Sequence, residues 1–288
     1  MSWNASVRRG RAHPSKGRAG LAAALVVILA AGIGYLVLRP GSRPPRATFC
    51  VADPDLELTT GQAAIAATIA AVASRRDLPP RAVAIAYATA LQESKLSNLH
   101  YGDLDSVGVF QQRPSQGWGS AEQLEDPIYA TGRFFDALTA VPNYQRLPIY
   151  VAAQAVQHSA DGQAYNQYAA AGTTLATAFT GADPHAVWCS YADPVAKPSL
   201  VAAARAMTSA FGLTAQPIAA GRRMSVQAGS GEQGWAVAAW LVSNAATYGI
   251  TSVRYQGFGW LGFTGPGHWI KEGGQAPSQA ATNSVEFG

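Results

Sequence analysis

The fold is decided by the stretch Ala90–Pro114, ALQESKLSNLHYGDLDSVGVFQQRP. Just before it, Pro79-Pro80 opens a helix whose apolar stripe is Val83, Tyr87, Ala90 and Leu91. Glu93 falls near the C-terminal end of that helix and is the only acidic residue between Asp77 and Asp103. On a 3.6-residue wheel it flanks the stripe, over Ala86 and Ala90, whose small side chains leave space beside it. A carboxyl beside an apolar wall favours its protonated form, which suits a general acid. On helical position alone, an ordinary exposed glutamate is the simpler reading; the neighbouring residues have to argue for more. After the helix, Gly, Asp and Ser crowd residues 102–120 and predict irregular or hairpin-like chain.

Outward from there the pattern stays helical between Thr59 and about Gly212. Thr59 or Thr60 caps a helix carrying Ile65, Ile69 and Val72. Asp126-Pro127 starts another helix through Leu138, and Pro148 precedes one over about 149–157. Segments 163–180 and 197–211 are Ala-rich and helical. Residues 213–232 hold Gly, Ser, Gln and two Arg without periodicity and predict a linker. Beyond it come a helix over 234–248, a strand over 250–256, a Gly-rich aromatic stretch over 257–268 and a short strand over 283–287.

The first fifty residues differ from the rest. They hold eight Lys/Arg and no Asp/Glu, whereas the other residues hold 13 basic against 17 acidic. The overall charge of +4 is therefore a property of the N-terminal tail, and no basic stripe remains to follow nucleic acid. Leu21–Leu38 is eighteen residues without a charge, about 27 Å as a helix and close to a bilayer core. Five basic residues precede it and three follow, which predicts a cytoplasmic tail and an exterior remainder. No small-x-small site precedes the Arg/Pro segment, so an uncleaved anchor is expected rather than a signal peptide.

The chain then divides into a basic tail (1–20), an anchor (21–38), a Pro/Arg linker (39–56), a domain over 57–212, a linker (213–232) and a small C-terminal α/β module (233–288). The fold class expected is mainly α (α+β) for the large domain. Cys50 and Cys189 both lie outside, where a disulfide is the default. Their bond would close about 140 residues, worth about 5 kcal/mol in the chain-entropy model.

Several chemistries are absent from the sequence. It has no G-x-S-x-G elbow, no Walker A and no dinucleotide fingerprint, and its exterior histidines (His100, His158, His185, His268) are isolated. Asp103 and Asp105 hint at a calcium loop, but the third position is Val107 and no Glu stands at the twelfth. No metal or cofactor is expected.

The run Ala90–Pro114 resembles the signature of lysozyme-like lytic transglycosylases. Glu93-Ser94 stands near a helix end, and Gly108-Val109-Phe110-Gln111 with Pro114 follows, Gly108 being fifteen residues after Glu93. Asp126-Pro127 resembles the family's Asp-Pro helix. The likeness covers about residues 57–180, and the pattern resembles that of membrane-anchored, Ala-rich transglycosylase-like proteins of actinobacteria. The chain departs from the family at its Ala-Tyr-Asn-Ala-Gly turn. Ala152–Ala160 stands there, with Val156-Gln157 for Tyr-Asn, while Ala164-Tyr165-Asn166 occurs nearby.

The resemblance implies a lysozyme-like fold and cleavage of peptidoglycan between N-acetylmuramic acid and N-acetylglucosamine, with a 1,6-anhydro product. Glu93 would be the general acid and base. Ser94, Gly108, Gln111, Gln112, Tyr101, Gln157 and Tyr165 would position Glu93 or contact the glycan. A lysozyme-type hydrolase would often need a second carboxylate, for which Asp103 and Asp105 are the close candidates, although both also fit a solvated loop. A non-catalytic wall-binding scaffold is the alternative from another class. A partner-binding ectodomain in a cell-envelope complex is a third, resting on the anchor alone. The C-terminal aromatics Tyr255, Phe258, Trp260, Phe263 and Trp269 either stack on sugars or form a small sheet core.

Overall fold

Thr59 begins the first helix through a reciprocal cap. Its hydroxyl accepts from the Gln62 amide at 3.2 Å, and the Gln62 side-chain oxygen accepts the Thr59 N–H at 2.9 Å. The helix that follows is α1, Thr60–Arg75. A computed structural model describes residues 47–53, 56–159, 161–192, 197, 199–265, 267–273 and 283–288. The expected membrane span and the basic tail lie outside these residues. No helix among those described is long and apolar enough to cross a membrane.

Helix α2 is Pro80–Ser94, entered with Pro at its first position, where a missing N–H costs nothing. It is buried from Ala82 to Ala90, as a helix that is apolar on nearly every side must be. The chain continues with α3 (Ala121–Leu124), α4 (Pro127–Ala140), α5 (Ile149–Gln157), α6 (Ala169–Phe179) and α7 (Leu200–Phe211). Asp126 caps α4, its carboxylate accepting from the Ile128 amide at 2.9 Å. The closest helix pair is α2 with α6. A Cβ on Gly172 of α6 would stand 2.7 Å from the Ala84 carbonyl oxygen, so only glycine allows this approach.

Among the described residues the remaining α-helices are α8 (Gly231–Ser243) and α9 (Ala245–Tyr248), and there are nine strands. A three-stranded antiparallel sheet has the order β2-β1-β3, with β1 at Phe49–Asp53, β2 at Leu56–Leu58 and β3 at Trp188–Ser190. Cys50 and Cys189 are direct cross-strand partners in it and form the disulfide.

The second sheet is also antiparallel, with the order β4-β5-β9-β6-β7-β8. Its strands are β4 (Ala215–Ile218), β5 (Arg223–Gln227), β6 (Ser252–Tyr255), β7 (Phe258–Leu261), β8 (Ile270–Lys271) and β9 (Ser284–Phe287). Met224, Val226, Val253, Tyr255, Trp260, Val285 and Phe287 fill its buried face. On the strands between, Arg223 pairs with Glu286 at 2.6 Å and Arg254 with Glu272 at 2.8 Å.

The architecture is thus mixed helix and antiparallel sheet, an α+β arrangement. Three expectations from the sequence change. The Pro/Arg linker expected over 39–56 carries β1 and the first residue of β2, strands whose pairing with β3 is set by residues far along the chain. Residues 213–232 are not a linker: they carry β4, β5 and the start of α8. Strand β5 turns only Met224 and Val226 inward, and its partner β9 lies almost sixty residues further on, so the local signal is short. Nor does the C-terminal part have a core of its own. Helix α8 packs against α1, and one hydrophobic core runs from Ile69 and Ile85 through Trp240 to Trp260 and Phe287.

Candidate functional site

The site is built where α2 stops. Lys95 takes a left-handed conformation with φ 55°, and its amide bonds back to the Ala90 carbonyl. Ser94 is buried. Its hydroxyl donates to Val109 O at 2.7 Å and accepts from the Ser97 amide at 3.2 Å. The serine beside Glu93 therefore ties the helix end to the Gly108 segment. It is a backbone brace, and burial keeps it from contacting a glycan.

Gly108 makes that segment turn. Its φ is +79°, its amide donates to Leu99 O at 2.7 Å, and a Cβ would meet Leu124 O at 2.2 Å. Phe110 is fully buried and stacks on Phe134 of α4 with ring centroids 4.5 Å apart. Two neighbouring carbonyls are gripped from opposite sides: Val109 O by Ser94, and Phe110 O by the Gln157 amide at 2.8 Å. Gln157 is the last residue of α5, so α2, the Gly108 segment and α5 are locked together here.

Gln111 is left-handed, with φ 47°, and its side-chain amide donates to Tyr101 O and Gly108 O. Gln112 is only 2% exposed and donates to Ala130 O at 3.3 Å. Its burial overturns the expectation that it contacts substrate. Its Oε1 has no hydrogen-bond partner among the described residues. Tyr101 is 74% exposed at the tip of the loop.

Glu93 itself is partly exposed. The Tyr165 hydroxyl donates to its Oε1 at 2.6 Å. Tyr165 is 1% exposed. Burial first, and the Glu93 carboxylate second, push its phenol well above the ordinary tyrosine range, so it remains a donor. The segment around it lies along the end of α2. Gln167 donates to the Gln92 side chain at 3.2 Å, and the Lys95 ammonium donates to the Tyr168 hydroxyl. Residues 92, 93 and 95 are thus each met by a side chain from 165–168.

The two loop aspartates have different surroundings. Asp105 accepts from the Ser115 amide at 2.7 Å, from Arg113 Nε at 2.9 Å and from the Ser115 hydroxyl at 2.9 Å. These donors, the Ser115 amide foremost, lower its pKa to about 2. Asp103 is exposed, and its backbone carbonyl accepts from the Ser106 amide at 3.0 Å. Among the described residues no three His, Cys, Asp or Glu gather as metal ligands would.

No protein-family model matches this chain, and no curated protein matches it. The site stands on its geometry: one partly exposed carboxylate, held at one oxygen by a buried phenol, beside a backbone segment fixed by side-chain hydrogen bonds. Of the residues singled out in sequence, the structure brings Glu93 to Tyr165 and Ser94 and Gln157 to the same backbone turn. It leaves Tyr101 outside that network except through its carbonyl. Two contributors were missed, Gln92 and Lys95. Their only signal was position, flanking Glu93 at the helix end.

The C-terminal aromatics are construction material. The Trp260 indole donates to Cys189 O at 3.0 Å and to Gly267 O at 2.8 Å. The Trp269 indole donates to Val187 O at 2.8 Å. Tyr255, Trp260 and Trp269 are buried, and Phe258 and Phe263 pack against the core.

Proposed function

We propose that this protein is a membrane-anchored peptidoglycan lytic transglycosylase with a lysozyme-like catalytic region, and that Glu93 is its general acid and base. The observation that carries this reading is the 2.6 Å bond from Tyr165 to Glu93 Oε1 at the helix end where the family-like motif predicts the acid. The bond orients the carboxyl and leaves Oε2 to carry the proton.

In the reaction, Glu93 gives its proton to the glycosidic oxygen as the bond to C1 of N-acetylmuramic acid breaks. The N-acetylglucosamine end leaves as a free 4-hydroxyl. The 6-hydroxyl of the same muramyl residue then attacks its C1 from the vacated face, returning its proton to Glu93. No water is consumed, and the product is the 1,6-anhydro sugar. One carboxylate suffices, in keeping with Asp105 being taken up by Arg113 and Ser115. Ser94 and Gln157 act by fixing Val109 and Phe110, with Gln111 holding Gly108 O. The apolar run 21–38 and an extracytoplasmic disulfide support a single-pass anchor with the catalytic part on the wall side.

A second reading, a wall-binding scaffold without cleavage, draws on one observation. The Gln157 amide, at the position that would face the sugar, is occupied by Phe110 O. The test uses the purified full-length chain on isolated peptidoglycan, wild type beside Glu93→Gln, with products read by mass spectrometry. Anhydro-muropeptides from wild type alone are expected. Reducing-end products would make it a hydrolase. Intact wall binding by both proteins, with no products from either, would make it the scaffold.

A further inference from the structure

A groove of about 720 Å³ opens between the C-terminal end of α4, the C-terminal turn of α5 and the loop after Pro114. That volume is in the range of small-ligand sites. Both of its walls continue from the Glu93 site. The chain that carries Val109 and Phe110 runs on through Pro114 to Gln116 and Trp118, which line one side. On the other side His158 directly follows Gln157, the residue that grips Phe110 O.

We infer that this groove is a further saccharide subsite, in which Trp118 stacks on an N-acetylhexosamine ring of the strand cleaved at Glu93. The inference rests on the reading of Glu93 as a glycosidase acid. A pyranose has one flat face of C–H bonds and a polar rim. Trp118 supplies a matching aromatic face. Trp118 is partly buried against the core and lines the groove. The residue is held from behind, its carbonyl accepting from Arg133 Nε at 3.1 Å and from the Tyr129 hydroxyl at 3.4 Å. A platform fixed in this way loses little entropy on binding.

The rest of the lining fits the same ligand. Ala140, Val141 and Ala155 are small and apolar, leaving room for an acetamido methyl group. Gln116 and His158 stand among them with side chains able to bond ring hydroxyls. His158 is set in place as the left-handed cap of α5, its amide donating to Gln154 O at 2.9 Å. This differs from the C-terminal aromatics, whose indoles are turned inward onto carbonyls. Trp118, by contrast, lines a groove.

The test is calorimetric titration of full-length Glu93→Gln protein, which cannot cleave, with the dimer and the hexamer of β-1,4-N-acetylglucosamine. Trp118→Ala should weaken hexamer binding by roughly tenfold, the loss of one stacking contact, while dimer binding changes little. Ala155→Phe, which fills the groove from a partly exposed helix position, should do the same and covers the case in which Trp118→Ala fails to fold. Equal hexamer affinity in the parent and both variants, or no hexamer binding by the parent, would overturn the inference. Product analysis with Glu93 restored separates the two proposals. Cleavage with unchanged hexamer affinity removes the groove alone. Loss of hexamer affinity in the variants without any cleavage by wild type retains the groove and removes the enzyme.

Discussion

The end of α2 and the C-terminal sheet solve the same problem with different chemistry. Around Glu93, short polar side chains hold backbone carbonyls: Ser94 on Val109, Gln157 on Phe110, Gln111 on Gly108. In the sheet region, indole and phenol groups do that work, Trp260 on Cys189 and Gly267, Trp269 on Val187, Tyr191 on Val242. Polar braces leave a partly exposed carboxylate between them. Aromatic braces leave a dry interior, and the charges of the same sheet pair with one another at its partly exposed positions, Arg223 with Glu286 and Arg254 with Glu272. Richness in aromatic residues therefore marks the part of the molecule given over to structure, and a single partly exposed carboxyl marks the part proposed for chemistry.

The contrast breaks most visibly at Trp260. Trp260→Ala should cost about 3–5 kcal/mol, since it removes a fully buried indole and leaves two carbonyls unbonded. Denaturant unfolding of the full chain measures this. A variant that kept its stability but lost wall binding would mean that the sheet is a recognition surface after all. Next comes the Cys50–Cys189 bond, which spans 139 residues. Replacing both cysteines by alanine should cost about 2–5 kcal/mol, read from the same unfolding curves, with cleavage per folded molecule unchanged.

At the chemical end the effects fall on rate. Tyr165→Phe removes the donor on Glu93 but keeps the ring, so kcat should fall roughly tenfold to a hundredfold. KM and unfolding midpoint should move little. If Tyr165 were only a packing residue, kcat would not change.

The smallest effect lies at Asp105, whose pKa is lowered from 3.8 to about 2 by the Ser115 amide and Arg113. A lowered carboxylate contributes stability that is present above its unfolded pKa and is lost as pH falls through the folded one. Asp105→Asn should therefore be less stable than wild type above about pH 4 and match it near pH 2. A constant difference across that window would show that the loop is held by something other than this charge.

How far the sequence could be read follows from where each signal lies. Helix starts are local, so Thr59, Pro79-Pro80, Asp126-Pro127 and Pro148 mark α1, α2, α4 and α5 closely. Strands β4 and β5 were missed because four or five residues give little periodicity, and their register depends on β9, far along the chain. Glu93 was visible as an isolated carboxyl on an apolar helix. The role of Ser94 was not, because a hydroxyl looks the same in sequence whether it meets a sugar or Val109 O. Tyr165 could be named as a neighbour of interest, but its bond to Glu93 depends on residues 165–168 lying along the end of α2.

The cross-strand disulfide also settles how the molecule carries load. Strand β1 begins at Phe49, inside the stretch expected as a linker, and Cys50 is bonded to Cys189 in the strand beside it. Tension applied at the N-terminal side and resisted at the C-terminal side passes from Cys50 straight to Cys189. It bypasses the intervening loop of chain, which contains Glu93, Gln157 and Tyr165. Pulling on the two ends of the chain therefore leaves Glu93, Gln157 and Tyr165 off the shortest covalent path between them.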